Sequence, residues 1–233
     1  MPDELEVGDR APNFELPACY GYKAGASSPS AEEKVKVSLK DFEDKKWVVL
    51  AFYRQDSSPE DTRLMVGFNE WNRKFKTREV EVLGCSWNGV NSHQQFIEVF
   101  QFGFTLLADE HKKVTELYGV IKEEEDLGEM VKYIERATFV IDKTGMIRAI
   151  WRNPEDLRDH PADIWEFIQK EKKAYVGFSR FHKNRMDSNL LLSSSQPSYY
   201  PFQRTKTLEC KSTLRGRWGF FFLPLYRGKW GLG

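Results

Sequence analysis

The sequence predicts an α/β domain, a central mixed sheet flanked by helices, followed by a basic, aromatic C-terminal tail. Three observations carry this. The run WVVLAFY at 47–53 is apolar at every position, the mark of a strand buried on both faces. Just after it, apolar residues recur at helical spacing. The charge is also divided: residues 172–233 hold 12 Lys and Arg against 2 Asp and Glu, a net of +10, so residues 1–171 carry −10 in a chain whose total is zero. The expected division is therefore a domain over 1–171 and an unstructured tail over 172–233.

Each element has its own warrant. Thr62 to Arg78 places Leu64, Phe68, Trp71 and Phe75 on one face of a helix. Val80 to Ser86 (VEVLGCS) reads as a second strand and Ser92 to Phe102 as a second helix. A short helix fits Lys112 to Tyr118, closed by Gly119. Ala137 to Asp142 and Met146 to Trp151 flank the turn Lys143-Thr144-Gly145 as a hairpin, and Ala162 to Lys170 is a last amphipathic helix. Strands alternating with helices give a sheet covered by helices, and right-handed crossovers make the first two strands parallel neighbours. Tyr20 to Lys36, rich in Gly, Ser and charge, reads as a surface loop, and the charged run Lys122 to Asp126 (KEEED) as a solvated loop.

Composition excludes several classes. Cys19, Cys85 and Cys210 lie far apart and are odd in number, so neither a disulfide framework nor a zinc spacing is legible. His93, His111, His160 and His182 are scattered and read as solvated or capping, so no metal or cofactor is expected. The acidic start lacks a signal-peptide pattern, and no run approaches the ~20 apolar residues of a membrane span. A reducing, cytoplasmic setting is the expectation. The tail segment 213–233 interleaves basic and aromatic residues. It fits nucleic-acid stacking, an anionic membrane interface, or an extension with no selected role, and the last is preferred because no amphipathic period is present. Folding of the basic tail onto the acidic domain is a fourth reading.

The stretch FYRQDSSPEDTRLM at 52–65 marks where chemistry would sit. Ser58 reads as an N-cap, Pro59 as the first helical residue, and Glu60 and Asp61 as acids at the positive end of the helix dipole. Asp61, three residues after the cap, resembles the acidic member of a capping box. On spacing alone this is a well-made helix start rather than a catalytic loop.

Five blocks in order change that reading: 7–18 (VGDRAPNFELPA), 37–53 (VSLKDFEDKKWVVLAFY), 82–96 (VLGCSWNGVNSHQQF), 104–120 (FTLLADEHKKVTELYGV) and 134–152 (IERATFVIDKTGMIRAIWR). Together they make residues 5–171 resemble the peroxiredoxins of the thiol-specific antioxidant group, most closely the bacterioferritin-comigratory branch. The resemblance implies a thioredoxin-like fold. It also implies that Ser58 and Pro59 match the family's active loop and that Arg136 matches its active-site arginine. The peroxidatic cysteine position holds Asp61 (Thr62 under a longer spacing), and a common resolving position holds Val66. An aspartate is ionised at neutral pH without assistance, but it cannot be oxidised as a thiolate is. The expectation is that Asp61 pairs with Arg136, and that the protein lacks thiol peroxidase activity and acts through protein partners. The alternative is a thiol-dependent peroxidase, with peroxide and a thiol reductant as partners, using another cysteine such as Cys85. Cys85 otherwise reads as a small core residue, Cys19 has no basic neighbour in sequence, and Cys210 lies near Lys206 and Lys211. The oligomeric state is not legible.

Overall fold

A computed structural model describes residues 4–21, 35–126 and 128–173. Its element order is β1 (Glu15–Cys19), β2 (Lys36–Ser38), β3 (Trp47–Phe52), α1 (Pro59–Thr77), β4 (Val80–Ser86), α2 (Val90–Phe100), β5 (Thr105–Ala108), α3 (Lys113–Leu117), β6 (Ile121–Asp126), β7 (Glu129–Ile134), β8 (Ala137–Ile141) and β9 (Ile147–Arg152). A final helix, α4, covers 160–173.

Strand β3 is buried at all six positions, as its apolar run requires. Alternate side chains feed opposite layers because strand residues alternate in direction. Val48, Leu50 and Phe52 join one core with Leu83, Tyr118, Phe139 and the N-terminal segment. Trp47, Val49, Ala51 and Tyr53 join the other with Leu64, Phe68, Phe75, Phe96 and Ile164. The second core is where α1, α2 and α4 lay their apolar faces. In α4, Trp165 packs edge-on to Phe75 at 5.8 Å, and Phe167 packs against Trp151 of β9 at 5.6 Å.

These layers enclose a seven-stranded sheet of order β2-β1-β5-β4-β3-β8-β9. Strands β3, β4 and β5 are parallel neighbours, with Val49 opposite Val82 and Cys85 opposite Leu107. Both flanks are antiparallel: β1 on β5, and β8 on β3. The sheet is mixed and helix-covered as expected, and its parallel centre is buried on both faces.

Two sequence readings change. Lys122 to Asp126 is not a loop but most of β6, paired with β7 in a separate two-stranded sheet running from Ile121 opposite Ile134 to Asp126 opposite Glu129. Its charges are solvated on strands instead of on a loop, and Glu123 bonds cross-strand to Lys132 at 3.0 Å. The short strands β1, β2 and β5 carry too little alternation to be read from pattern. The expected boundary near Lys172 falls at the edge of the described residues. Most of the surface loop at 20–36 and the readings made for the tail beyond 173 lie outside them.

Candidate functional site

The apolar run of β3 ends at Tyr53, and the chain turns through Arg54 to Ser57, where Ser57 takes a left-handed φ of 61°. Ser58 then caps α1: its backbone is extended, its hydroxyl accepts from the Asp61 N–H at 3.2 Å, and Pro59 opens the helix. The reciprocal half of a capping box does not form. The Asp61 carboxylate instead accepts from the Ser58 hydroxyl at 2.7 Å and reaches back to the Gln55 N–H at 3.1 Å, tying the whole turn together.

Across the sheet, Arg136 occupies the link between β7 and β8. Its carbonyl accepts from the Asn153 N–H at 2.7 Å. Its neighbour Glu135, buried, accepts from Arg152 at 2.7 Å and from the Asn153 amide at 2.8 Å. Held on that side, Arg136 sends its guanidinium to the start of α1. Nε donates to Asp61 Oδ1 and Nη2 to Glu60 Oε2, both at 2.6 Å. Burial pulls the Arg136 pKa down, but the hydrogen bond and charge of Asp61, then Glu60, outweigh it and the net shift is upward. Ser58, Pro59, Asp61 and Arg136 thus form one site, and its cation and helix terminus already hold carboxylates.

A second polar cluster lies one element away, and sequence reasoning missed it. The Asp56 carboxylate, on the loop before α1, accepts from the Tyr53 hydroxyl at 2.7 Å and the Ser92 hydroxyl at 2.6 Å. His93 Nδ1 lies 2.9 Å from Asp56 Oδ2, and its Nε2 lies 3.0 Å from the Leu107 carbonyl. Both ring nitrogens face acceptors, so both must donate, and the ring carries the charge opposite Asp56. Burial raises the Asp56 pKa, but the bonds and charge of His93, then Ser92 and Tyr53, bring it below the ordinary value. The solvated or capping roles expected for the histidines fail at His93 and at His160. The first is fully buried in this pair, and the second is buried on Thr138 at 3.0 Å. A faint signal was available: His93 sits three and four residues before Phe96 and Ile97, on the apolar face of α2.

The cysteines divide by access. Cys85, on β4, is wholly buried, and burial pushes its thiol well up, helped by the negative charge of Asp109. Cys19, the last residue of β1, is half-buried and donates to the Val90 carbonyl in the first turn of α2 at 3.1 Å. Burial and then the Asp56 charge raise its pKa to about 11. Cys210 and His182 lie outside the described residues. Among the described residues no group of three or more His, Cys, Asp or Glu could hold a metal, and no helix is long and apolar enough to cross a membrane.

Comparison with known proteins agrees with this architecture. Residues 7–150 match the AhpC/TSA family. The chain is 37% identical over 147 residues to a putative peroxiredoxin bcp of Coxiella burnetii, covering 63% of this chain and 88% of that one. Peroxiredoxin Bcp of Bacillus subtilis is 31% identical over 165 residues, covering 71% and 96%. Among solved structures, a mutant of Xylella fastidiosa PrxQ superposes with a TM-score of 0.62 at 25% identity, covering 73% of this chain and 99% of that one. The bacterioferritin comigratory protein of Xanthomonas campestris gives 0.59 at 25% identity, covering 68% and 91%. Fold, family match and relatives agree: the chain belongs to the AhpC/TSA family of peroxiredoxins, in its bacterioferritin-comigratory branch.

Proposed function

We propose that the protein is a thiol-dependent peroxidase, an antioxidant oxidoreductase, with Cys19 as the reacting thiol. The expectation of a chain without peroxidase activity, acting through partners, is overturned by its relatives. Proteins named peroxiredoxin align along 88% and 96% of their own length, and the structure of the Xanthomonas relative was solved to explain its alkyl peroxide reduction activity. The alternative reading is therefore the one adopted, with a change of cysteine.

The observation that carries the assignment is the contrast in access. Position 61 has no sulfur, Cys85 is sealed in the core, and Cys19 is the described cysteine that reaches solvent. In the reaction, the Cys19 thiolate attacks one peroxide oxygen and the O–O bond breaks. Sulfur loses two electrons to become a sulfenic acid, and the other oxygen leaves with a proton as water or alcohol. A first reductant thiol displaces water from the sulfenic acid to give a mixed disulfide. A second releases Cys19 and departs joined to the first as their disulfide. A reducing compartment such as the cytoplasm supplies such thiols. With a pKa of about 11, roughly one Cys19 in ten thousand is thiolate at pH 7, so the rate rises about tenfold per pH unit from there.

The test is peroxide-dependent thiol consumption by the full chain against Cys19→Ser and Cys85→Ser. Loss of consumption in Cys19→Ser alone is the expected result. Full activity in Cys19→Ser removes Cys19 from the reaction.

A further inference from the structure

We propose that Asp56 is the positioning residue that governs Cys19, with the first turn of α2 holding carboxylate and thiol in one assembly that keeps the sulfur protonated. This deepens the assignment of Cys19 as the reacting thiol and rests on it.

The geometry makes α2 the shared part. Asn88, just before the helix, takes the Asp56 N–H on its side-chain oxygen at 3.0 Å. Ser92 and His93, in the first turn, bind the Asp56 carboxylate at 2.6 and 2.9 Å. Val90, in that same turn, offers its carbonyl to the Cys19 thiol at 3.1 Å. A carbonyl that accepts S–H stabilises the thiol and repels the thiolate, and a nearby carboxylate does the same. The loop that leads into α1 is thereby joined to a cysteine three strands away in the sheet. Charged and titratable groups about this assembly, among the described residues, come from each packed element. They are Asp56 on the β3–α1 loop, Tyr53 at the end of β3, His93 on α2, and Glu110 after β5, whose carboxylate lies against Gly89 at the head of α2. Of these, Asp56 is the one whose charge reaches Cys19, and it adds to the larger effect of burial.

The experiment is the pH dependence of iodoacetamide alkylation of Cys19 in the full chain, located by peptide mass spectrometry. In Asp56→Asn the midpoint should fall by up to about one unit, because burial keeps the larger share; this is a ~3- to 10-fold faster reaction at pH 8. Ser92→Ala loosens the same turn but keeps the charge, and its midpoint should stay with the wild type. Superimposed profiles for Asp56→Asn and wild type overturn the proposal, and so does an equal fall in Ser92→Ala, which would trace the effect to loosening. If Asp56→Asn fails to fold, the wild-type profile decides: a Cys19 midpoint at or below the ordinary ~8.5 overturns the proposal. Alkylation needs no peroxide, so the two claims separate. Peroxide consumption that survives Cys19→Ser removes the peroxidase role, whereas a midpoint moved by Asp56→Asn still establishes control by Asp56.

Discussion

Arg136 and Asp61 meet as a nearly dry ion pair, Nε to Oδ1 at 2.6 Å, with side-chain exposures of 12% and 0%. The Arg136 contact with Glu60 is equally short, but Glu60 is 66% exposed. Equal distances therefore conceal unequal energies, because water screens only one of the two carboxylates.

Arg136→Met should accordingly be costly, since it leaves Asp61 buried without a counter-charge. Removing one member of a buried pair costs ~3–5 kcal/mol, whereas Glu60→Gln should cost under ~1 kcal/mol. Urea unfolding of both variants checks this, and equal losses would contradict the ranking.

Asp61→Cys, made with Cys19→Ser, should create a second kind of thiol. Ser58 and the Gln55 and Asp61 backbone N–H groups already surround position 61, and Arg136 supplies a cation. These stabilise a thiolate, so the midpoint of alkylation should lie below the ordinary ~8.5 and far below that of Cys19. Peroxide should then oxidise residue 61 in a burst at neutral pH. Glu60 opposes this through its charge, and adding Glu60→Gln should lower the midpoint further. A midpoint above 9 would show that the pocket cannot support a thiolate.

His160 should make stability fall with acid. Burial lowers its pKa from 6.5 to about 4, and it is 1% exposed. Between those values the unfolded chain binds the proton and the folded chain does not. The contribution is thus complete above pH 6.5 and is lost as pH falls toward 4, amounting to ~3 kcal/mol. His160→Asn should flatten the stability profile between pH 6.5 and 4. Asp142 shifts downward against burial through bonds from Thr144, Met146 and Arg148, so its loss belongs to still lower pH. Denaturant midpoints at half-unit intervals separate the two windows.

Gly67→Ala tests the packing of α1. Alanine favours a helix interior by ~1 kcal/mol over glycine. A Cβ at Gly67, however, would lie 2.5 Å from the Arg158 carbonyl oxygen, a backbone atom that cannot rotate away. Net destabilisation of about 1–3 kcal/mol is expected. At Gly84 the comparable 2.6 Å contact is with the end of the Leu106 side chain, and Gly84→Ala should be milder. A stabilised Gly67→Ala would mean the α1 interface yields easily.

The sequence alone determined the elements whose pattern is local. The continuous run 47–53 became β3, the spacing of Leu64, Phe68 and Phe75 became the buried face of α1, and Ser58-Pro59 became its start. The pairing of Asp61 with Arg136, 75 residues apart, was reached through matched family positions, and the contact is present. Tertiary structure alone decided the rest. β6 and β7 are exposed at most described positions, so no apolar alternation could reveal them. Asp56 and His93 lie 37 residues apart and meet only because β3 and β4 are parallel neighbours, which brings the loop after one strand beside the helix after the other. Cys19 and Cys85 looked alike as isolated cysteines. Their difference came from place in the sheet, with β4 central and covered on both faces and Cys19 at the end of β1, nearer the edge. Local periodicity records which face of an element is dry, but the neighbours that meet a buried charge are set by strand order, and strand order is a property of the folded chain.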